Sequence, residues 1–93
     1  MLAKHGDEVF LVDVRTPGEW ARGRIPASVL IPMDQVPSRL SEIPSGKKVV
    51  VVCASGARSA AVARFLDQHG YPWVANYAGG VSEWARVGLQ LTR

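Results

Sequence analysis

The stretch Val49-Val50-Val51-Val52-Cys53-Ala54-Ser55-Gly56-Ala57-Arg58-Ser59 sets the chain's one cysteine between four valines and the start of a helical pattern. A single thiol can form neither an internal disulfide nor a multi-thiolate metal site, which leaves packing or reactivity. The small residues Ala54, Ser55, Gly56 and Ala57 let the backbone curl tightly, so that successive N–H groups can converge above the sulfur. A nest of this kind, backed by a helix N-terminus, binds anions. The same field favours thiolate over thiol, and Arg58 adds a permanent cation with a fork suited to oxyanions. Cys53 is therefore predicted to be nucleophilic near neutral pH, without a general base. A thiolate that attacks a sulfane sulfur is left carrying an anionic sulfur, which the same N–H cradle would hold. Ser59 is placed to cap the helix or steady the loop. The pattern suits storage and transfer of sulfur and calls for no metal and no organic cofactor. The plainer alternative is a small apolar residue that finishes a buried strand. Against it stands Arg58, a cation in a first helical turn, where the helix dipole asks for an anion partner.

The elements that must hold this loop are legible as short apolar runs alternating with helical patterns, which argues for an α/β fold with a parallel sheet. Val9 to Val14 forms the first strand, followed by a capping box with proline at the first helical position in Thr16-Pro17-Gly18-Glu19. A short helix carrying Trp20 should follow. Ser28 to Ile31, between Pro26 and Pro32, is a second strand, and Asp34 to Ile43 offers a brief helix with Val36, Leu40 and Ile43 on one face. The valines from 49 to 52 run without alternation, as expected of a central strand buried on both faces. Ser59 to His69 is helical by spacing, stopped by Gly70 and Pro72. Trp73 to Tyr77 reads as the last strand, and a short helix from Val81 to Val87 closes the chain. The cysteine thus falls at the carboxyl end of a central strand, where ligand sites of open α/β sheets gather.

Bulk properties narrow the function. With 93 residues, 47% hydrophobic and 20% charged, the chain can bury one core and is expected to be one domain over residues 1–93. The net charge of +3 is scattered rather than gathered into a basic block, so nucleic-acid binding is not indicated. No run approaches the roughly 20 apolar residues that cross a bilayer, and no signal segment opens the chain. The expectation is a soluble, cytoplasmic protein.

The loop from Cys53 to Arg58 resembles the six-residue active-site loop of the rhodaneses, which runs from a catalytic cysteine to an arginine with a glycine between. Leu11-Val12-Asp13-Val14-Arg15 looks like the family's Leu-Ile-Asp-Val-Arg strand, and Glu19-Trp20 like its Glu-Tyr or Glu-Trp pair. Gly23-Arg24-Ile25-Pro26-Ala27-Ser28 resembles its Gly-His-Ile-Pro-Gly-Ala segment. Tyr77-Ala78-Gly79-Gly80-Val81-Ser82-Glu83-Trp84 resembles its closing Leu-x-Gly-Gly-x-x-x-Trp, with Gly88-Leu89 after it. The resemblance implies a rhodanese-like fold: a parallel sheet of four to five strands flanked by helices on both faces, with persulfide chemistry at Cys53. It also implies a small anionic sulfur donor such as thiosulfate or a persulfide, a thiol or cyanide-like acceptor, and a thioredoxin-like or other sulfur-relay protein as partner.

Three departures qualify it. Only 12 residues precede Asp13, so the family's first edge strand is expected to be missing, either from a four-stranded member or from a piece of a longer protein. Arg24 and Ala27-Ser28 replace the usual His and Gly-Ala in a structural segment. Ala54 follows the cysteine where thiosulfate-using members often carry a cation, which puts efficient use of thiosulfate in doubt.

Other residues carry two readings each. Asp13 and Arg15 could fix Arg58 or the pocket rim by charge-assisted hydrogen bonds, or form a structural ion pair, Arg15 with Glu19; the structural role is favoured. Gly79, with Gly80, could bring backbone close to the pocket mouth or simply turn the chain. His5 and His69 are expected far from the sulfur, and Trp20, Trp73 and Trp84 in core packing. Two other functions compete. A phosphatase or arsenate reductase would resemble a Cys-x5-Arg cradle, one residue longer than Cys53 to Arg58. A binding module that had lost its chemistry would be favoured if Cys53 proved buried or had an ordinary thiol pKa.

Overall fold

The unbroken apolar run of four valines decides the architecture. In the computed structural model, which describes residues 9–54, 56–77 and 79–81, Val49 and Val51 face one apolar cluster while Val50 and Val52 face a second on the opposite side. A strand that buries both faces must lie inside a sheet. That strand, β3 (Lys48–Val52), is flanked by β1 (Val9–Asp13) and β4 (Val74–Asn76), and β1 in turn by β2 (Val29–Leu30). The order is β2-β1-β3-β4, and every pairing is parallel. Val9 pairs with Lys48 and Asp13 with Val52, so β1 and β3 end level with one another.

The main cluster packs Val12, Val14, Ile31, Val49, Val51 and Cys53 against Val62 and Leu66 of α2 (Ala57–Gln68), with Val36 and Ile43 completing it. Ile25 and Val81 cover Leu11 and Val52 on the other face. α1 (Pro17–Arg22) buries none of its residues and is held instead by the capping box that its sequence announced. Thr16 Oγ1 accepts from Glu19 N at 3.2 Å, and Glu19 Oε1 accepts from Thr16 N at 3.0 Å.

Three expectations are adjusted. The segment read as one helix from Asp34 to Ile43 is two 3-10 stretches, Met33–Gln35 and Pro37–Glu42, because Pro37 interrupts it and Arg39 leaves helical geometry. The second strand pairs over two residues only, with Pro32 soon after it unable to donate to a ladder. α2 begins at Ala57 rather than Ser59, with Gly56 as its N-cap in the left-handed region (φ +103°). A helix starts at Gly80, and the rest of the closing helix expected to Val87 lies outside the described residues, as do His5 and Trp84. Among the described residues no helix is long and apolar enough to cross a membrane.

Tryptophan placement also departs from expectation. Trp73 is 46% exposed, with the Lys48 ammonium 5.4 Å from its ring centroid, so it packs at the surface rather than in the core. Trp20 is half-buried beneath the Arg24 guanidinium at 4.7 Å.

Candidate active site

Because side chains alternate along β3, Cys53 continues the face of Val49 and Val51 and lies among the residues packed beneath α2. It is 1% exposed. The loop that follows folds back over it and aims two main-chain donors at the sulfur: Gly56 N lies 3.0 Å and Ser59 N 3.3 Å from Cys53 Sγ. The thiol in turn donates to Ser59 Oγ at 3.4 Å. Left-handed Gly56 makes the curl possible, since a side chain is strained at that φ. Gly56 and Ser59 thus each direct a main-chain N–H at the sulfur. Ala54 is half-buried and Ala57 exposed at the start of α2, while Ser55 lies outside the described residues.

Two neighbours brace the loop: Asn76, which was not singled out from the sequence, and Gly80, which had been read with Gly79 as able to bring backbone close to the pocket mouth. Asn76, the last residue of β4, donates from Nδ2 to Gly56 O at 3.3 Å, and its Oδ1 contacts Ser59 Oγ. Ser59 Oγ is also 3.2 Å from Gly56 O. Ser59 is thus a hub between sulfur, loop carbonyl and β4, which agrees with a role in steadying the loop. Gly80 supplies the second brace. At φ +64° it lets Val81 N reach Cys53 O at 2.8 Å, and a Cβ there would sit 2.6 Å from Ala54 O. Of the glycine pair, Gly80 makes the close approach, and half-buried Gly79 beside it completes the turn.

The charged residues pair differently from the sequence reading. Arg15 closes on Asp13, not on Glu19: its Nε lies 3.0 and 2.9 Å from the two Asp13 oxygens and its NH2 2.8 Å from one of them. Both residues are buried, and the same guanidinium reaches Gly23 O at 2.8 Å and the Glu19 carbonyl at 3.4 Å. The pair locks the end of β1 to the turn after α1, which is scaffolding.

Arg58 takes Glu19 instead, in a two-pronged contact of 2.8 and 2.9 Å across 39 residues of sequence. Arg58's forked bond is the largest of the influences that hold the Glu19 carboxyl down to about 2, aided by the capping bond from Thr16. The anion that a first-turn arginine asked for is therefore supplied by the protein itself. Glu19 had been read as the end of a capping box, as part of a family pair and as a partner for Arg15, but not as the partner of Arg58; two complementary charges flanking separate helix starts were the available signal.

Beside the pair opens a cavity of about 320 Å³, lined by Val14, Arg15, Thr16, Pro32, Met33, Asp34 and Arg58. His69 sits at the far end of α2 with Nδ1 2.7 Å from Phe65 O, away from the sulfur as expected. Among the described residues no three His, Cys, Asp or Glu side chains are grouped to hold a metal.

Comparison with known proteins meets this geometry. The family described as "Rhodanese-like domain" matches residues 1–87. A "Sulfurtransferase" of Allochromatium vinosum is 48% identical over 85 residues, covering 91% of this chain and 79% of that protein. A "Thiosulfate:glutathione sulfurtransferase" of Saccharomyces cerevisiae is 31% identical over 101 residues, covering 95% and 73%. Among solved structures, a rhodanese-related protein from Thermoplasma volcanium superposes with a TM-score of 0.87 at 32% identity, over 98% of this chain and 90% of that one.

Proposed function

Since the chain belongs to the rhodanese-like domain family, we propose that it carries out the family's sulfur transfer through a persulfide on Cys53. The activity is that of a rhodanese-type sulfurtransferase. The observation that carries it is the pair of N–H groups directed at Sγ, Gly56 N at 3.0 Å and Ser59 N at 3.3 Å. Burial at 1% exposure is what a packing cysteine in a binding module would show. A packing cysteine, however, needs no main-chain donors, whereas negative charge on a buried sulfur does.

In the first step the Cys53 thiolate attacks the outer sulfur of a donor. A bond forms between the two sulfurs, the donor's S–S bond breaks, and its electron pair leaves on sulfite from thiosulfate or on a thiolate from a persulfide. In the second step an acceptor thiolate attacks the outer sulfur and the electron pair returns to Cys53. Neither step needs an outside oxidant or reductant. The N–H groups of Gly56 and Ser59 hold the anionic sulfur before and after transfer, and Ser59 and Asn76 keep the loop in that shape. The acceptor is a thiol or another thiophile, and a sulfur-relay protein of thioredoxin-like size is a suitable partner. A cytoplasmic setting, where thiols stay reduced, suits a working cysteine.

The test is intact mass after incubation with thiosulfate and, separately, with glutathione persulfide. The expected result is one added sulfur of about 32 Da, removable by reductant and absent in Cys53→Ser. No uptake from either donor, together with slow alkylation of Cys53 at neutral pH, would favour the binding module.

A further inference from the structure

Ser59 has one hydroxyl proton and three acceptors within reach of it. Its Oγ, in a fully buried residue, lies 3.2 Å from Gly56 O, 3.4 Å from Cys53 Sγ and against Asn76 Oδ1. Gly56 O is already served, by Ala60 N at 3.0 Å and by Asn76 Nδ2 at 3.3 Å. The second of these bonds also fixes the amide: with Nδ2 turned to a carbonyl, Oδ1 is the atom left facing the hydroxyl. Among the described residues Ser59 is the only donor to Asn76 Oδ1. The proton is therefore contested between Asn76 and the sulfur.

The charge of the sulfur decides which of them holds it. While Cys53 is a thiol, its S–H donates to Ser59 Oγ and the serine proton goes on to Asn76, so that each donor has an acceptor. Once Cys53 has released its proton to solvent, a serine still aimed at Asn76 would turn an oxygen lone pair toward a buried anion. Rotation about the Cβ–Oγ bond instead brings the O–H onto the sulfur as a third donor beside Gly56 N and Ser59 N, and breaks the bond to Asn76. We infer that Asn76 is a positioning residue: by competing for the Ser59 proton it limits the thiolate fraction of Cys53, and it takes that proton back once sulfur is loaded. For the use of the thiolate the inference rests on the sulfur-transfer reading. On loading, Cys53–S⁻ and R–S–SH give Cys53–S–SH and R–S⁻; Sγ is then neutral and no longer draws the hydroxyl. The charged side chains nearby are Arg58 of α2, whose guanidinium feels the Cys53 charge, and Glu19 and Asp13, which act on Arg58. The variants below leave all of them in place.

The rate of iodoacetamide alkylation of Cys53 against pH reads the thiolate from the midpoint of the profile, which a change of access alone does not move. Wild type is compared with Ser59→Ala, Asn76→Ala and the double variant. Ser59→Ala removes a donor to the anion, and its midpoint is expected to rise by about one unit, an about tenfold loss of thiolate at neutral pH. Asn76→Ala removes the competitor, and its midpoint is expected to fall by about half a unit, with about threefold more thiolate. In the Ser59→Ala background the same Asn76 substitution is expected to give no fall, since the two residues act through one proton. Ser59→Thr, which keeps the hydroxyl, is expected to return the midpoint to near that of wild type. Asn76→Val, suited to a strand end, serves if Asn76→Ala fails to fold. Residues that only brace the loop would move the midpoint the same way when either is removed. A midpoint that rises or stays in the Asn76 variants, or that falls equally without Ser59, overturns the assignment. Sulfur loading from glutathione persulfide, followed by intact mass, is a separate readout. If the midpoints move as expected while wild type takes up no sulfur, the proton assignment stands and the transfer reading fails.

Discussion

At the scale of single residues, the proposed site consists of one sulfur and the hydrogen bonds that surround it, and the charged groups nearby divide into two pairs. Asp13 and Arg15 are buried, multiply bonded to each other, and distributed over backbone carbonyls that join β1 to the turn after α1. Removing one charge leaves the other buried without compensation, which costs about 3 kcal/mol or more. Asp13→Asn is therefore expected to lower the urea midpoint sharply and to leave little folded protein at 37 °C, whatever its effect on chemistry. Sequence reading reached the scaffolding role of these two residues but assigned Arg15 the wrong carboxylate. The reason is physical: Glu19 is four residues from Arg15 and an obvious partner on paper, whereas Asp13 lies only two away. In an extended strand those two residues point the same way, and a long guanidinium can fold back to meet the carboxylate. Arg58 and Glu19, 39 residues apart, could be brought together only by the fold.

Among the elements, strands and α2 were legible because alternation and helical spacing report burial directly. Val49 to Val52, Val62 and Leu66 lie in the core as their spacing required. The region from Met33 to Glu42 was misread as one helix because its apolar residues have helical spacing while Pro37 breaks the hydrogen-bond ladder, a conflict that composition resolves only in favour of short 3-10 turns. The site's lid is a joint between elements, the Gly80 turn on the carbonyl of Cys53, and no local pattern distinguishes it from any other glycine pair. Gly80→Ala places a Cβ against Cys53 and Ala54 backbone at a positive φ. The expected cost is about 2–4 kcal/mol, read as a lower denaturation midpoint, with loss of persulfide loading in whatever fraction stays folded.

Across the whole molecule, the Glu19–Arg58 pair ties the first turn of α1 to the first turn of α2, the helices that follow the adjacent central strands β1 and β3, and so couples their placement to pH. Glu19 has a folded-state value near 2 against an ordinary 4.5. A depressed carboxyl contributes stability above its unfolded value, which is lost as pH falls toward the folded one. With Glu19 and Arg58 side chains 28% and 35% exposed, screening reduces the contribution to about 1 kcal/mol. Wild type is expected to exceed Glu19→Gln in stability by that amount at pH 7, and the gap to close between roughly pH 4.5 and pH 2 in urea titrations. Every described strand precedes Gly80 and Val81, yet these two residues close over the carbonyl of Cys53. On the ribosome the sheet can therefore form while its thiol still lacks its last support. The sulfur site is completed by one of the later segments to emerge, so that a stalled, shorter nascent chain would present a folded sheet with an unfinished thiol pocket.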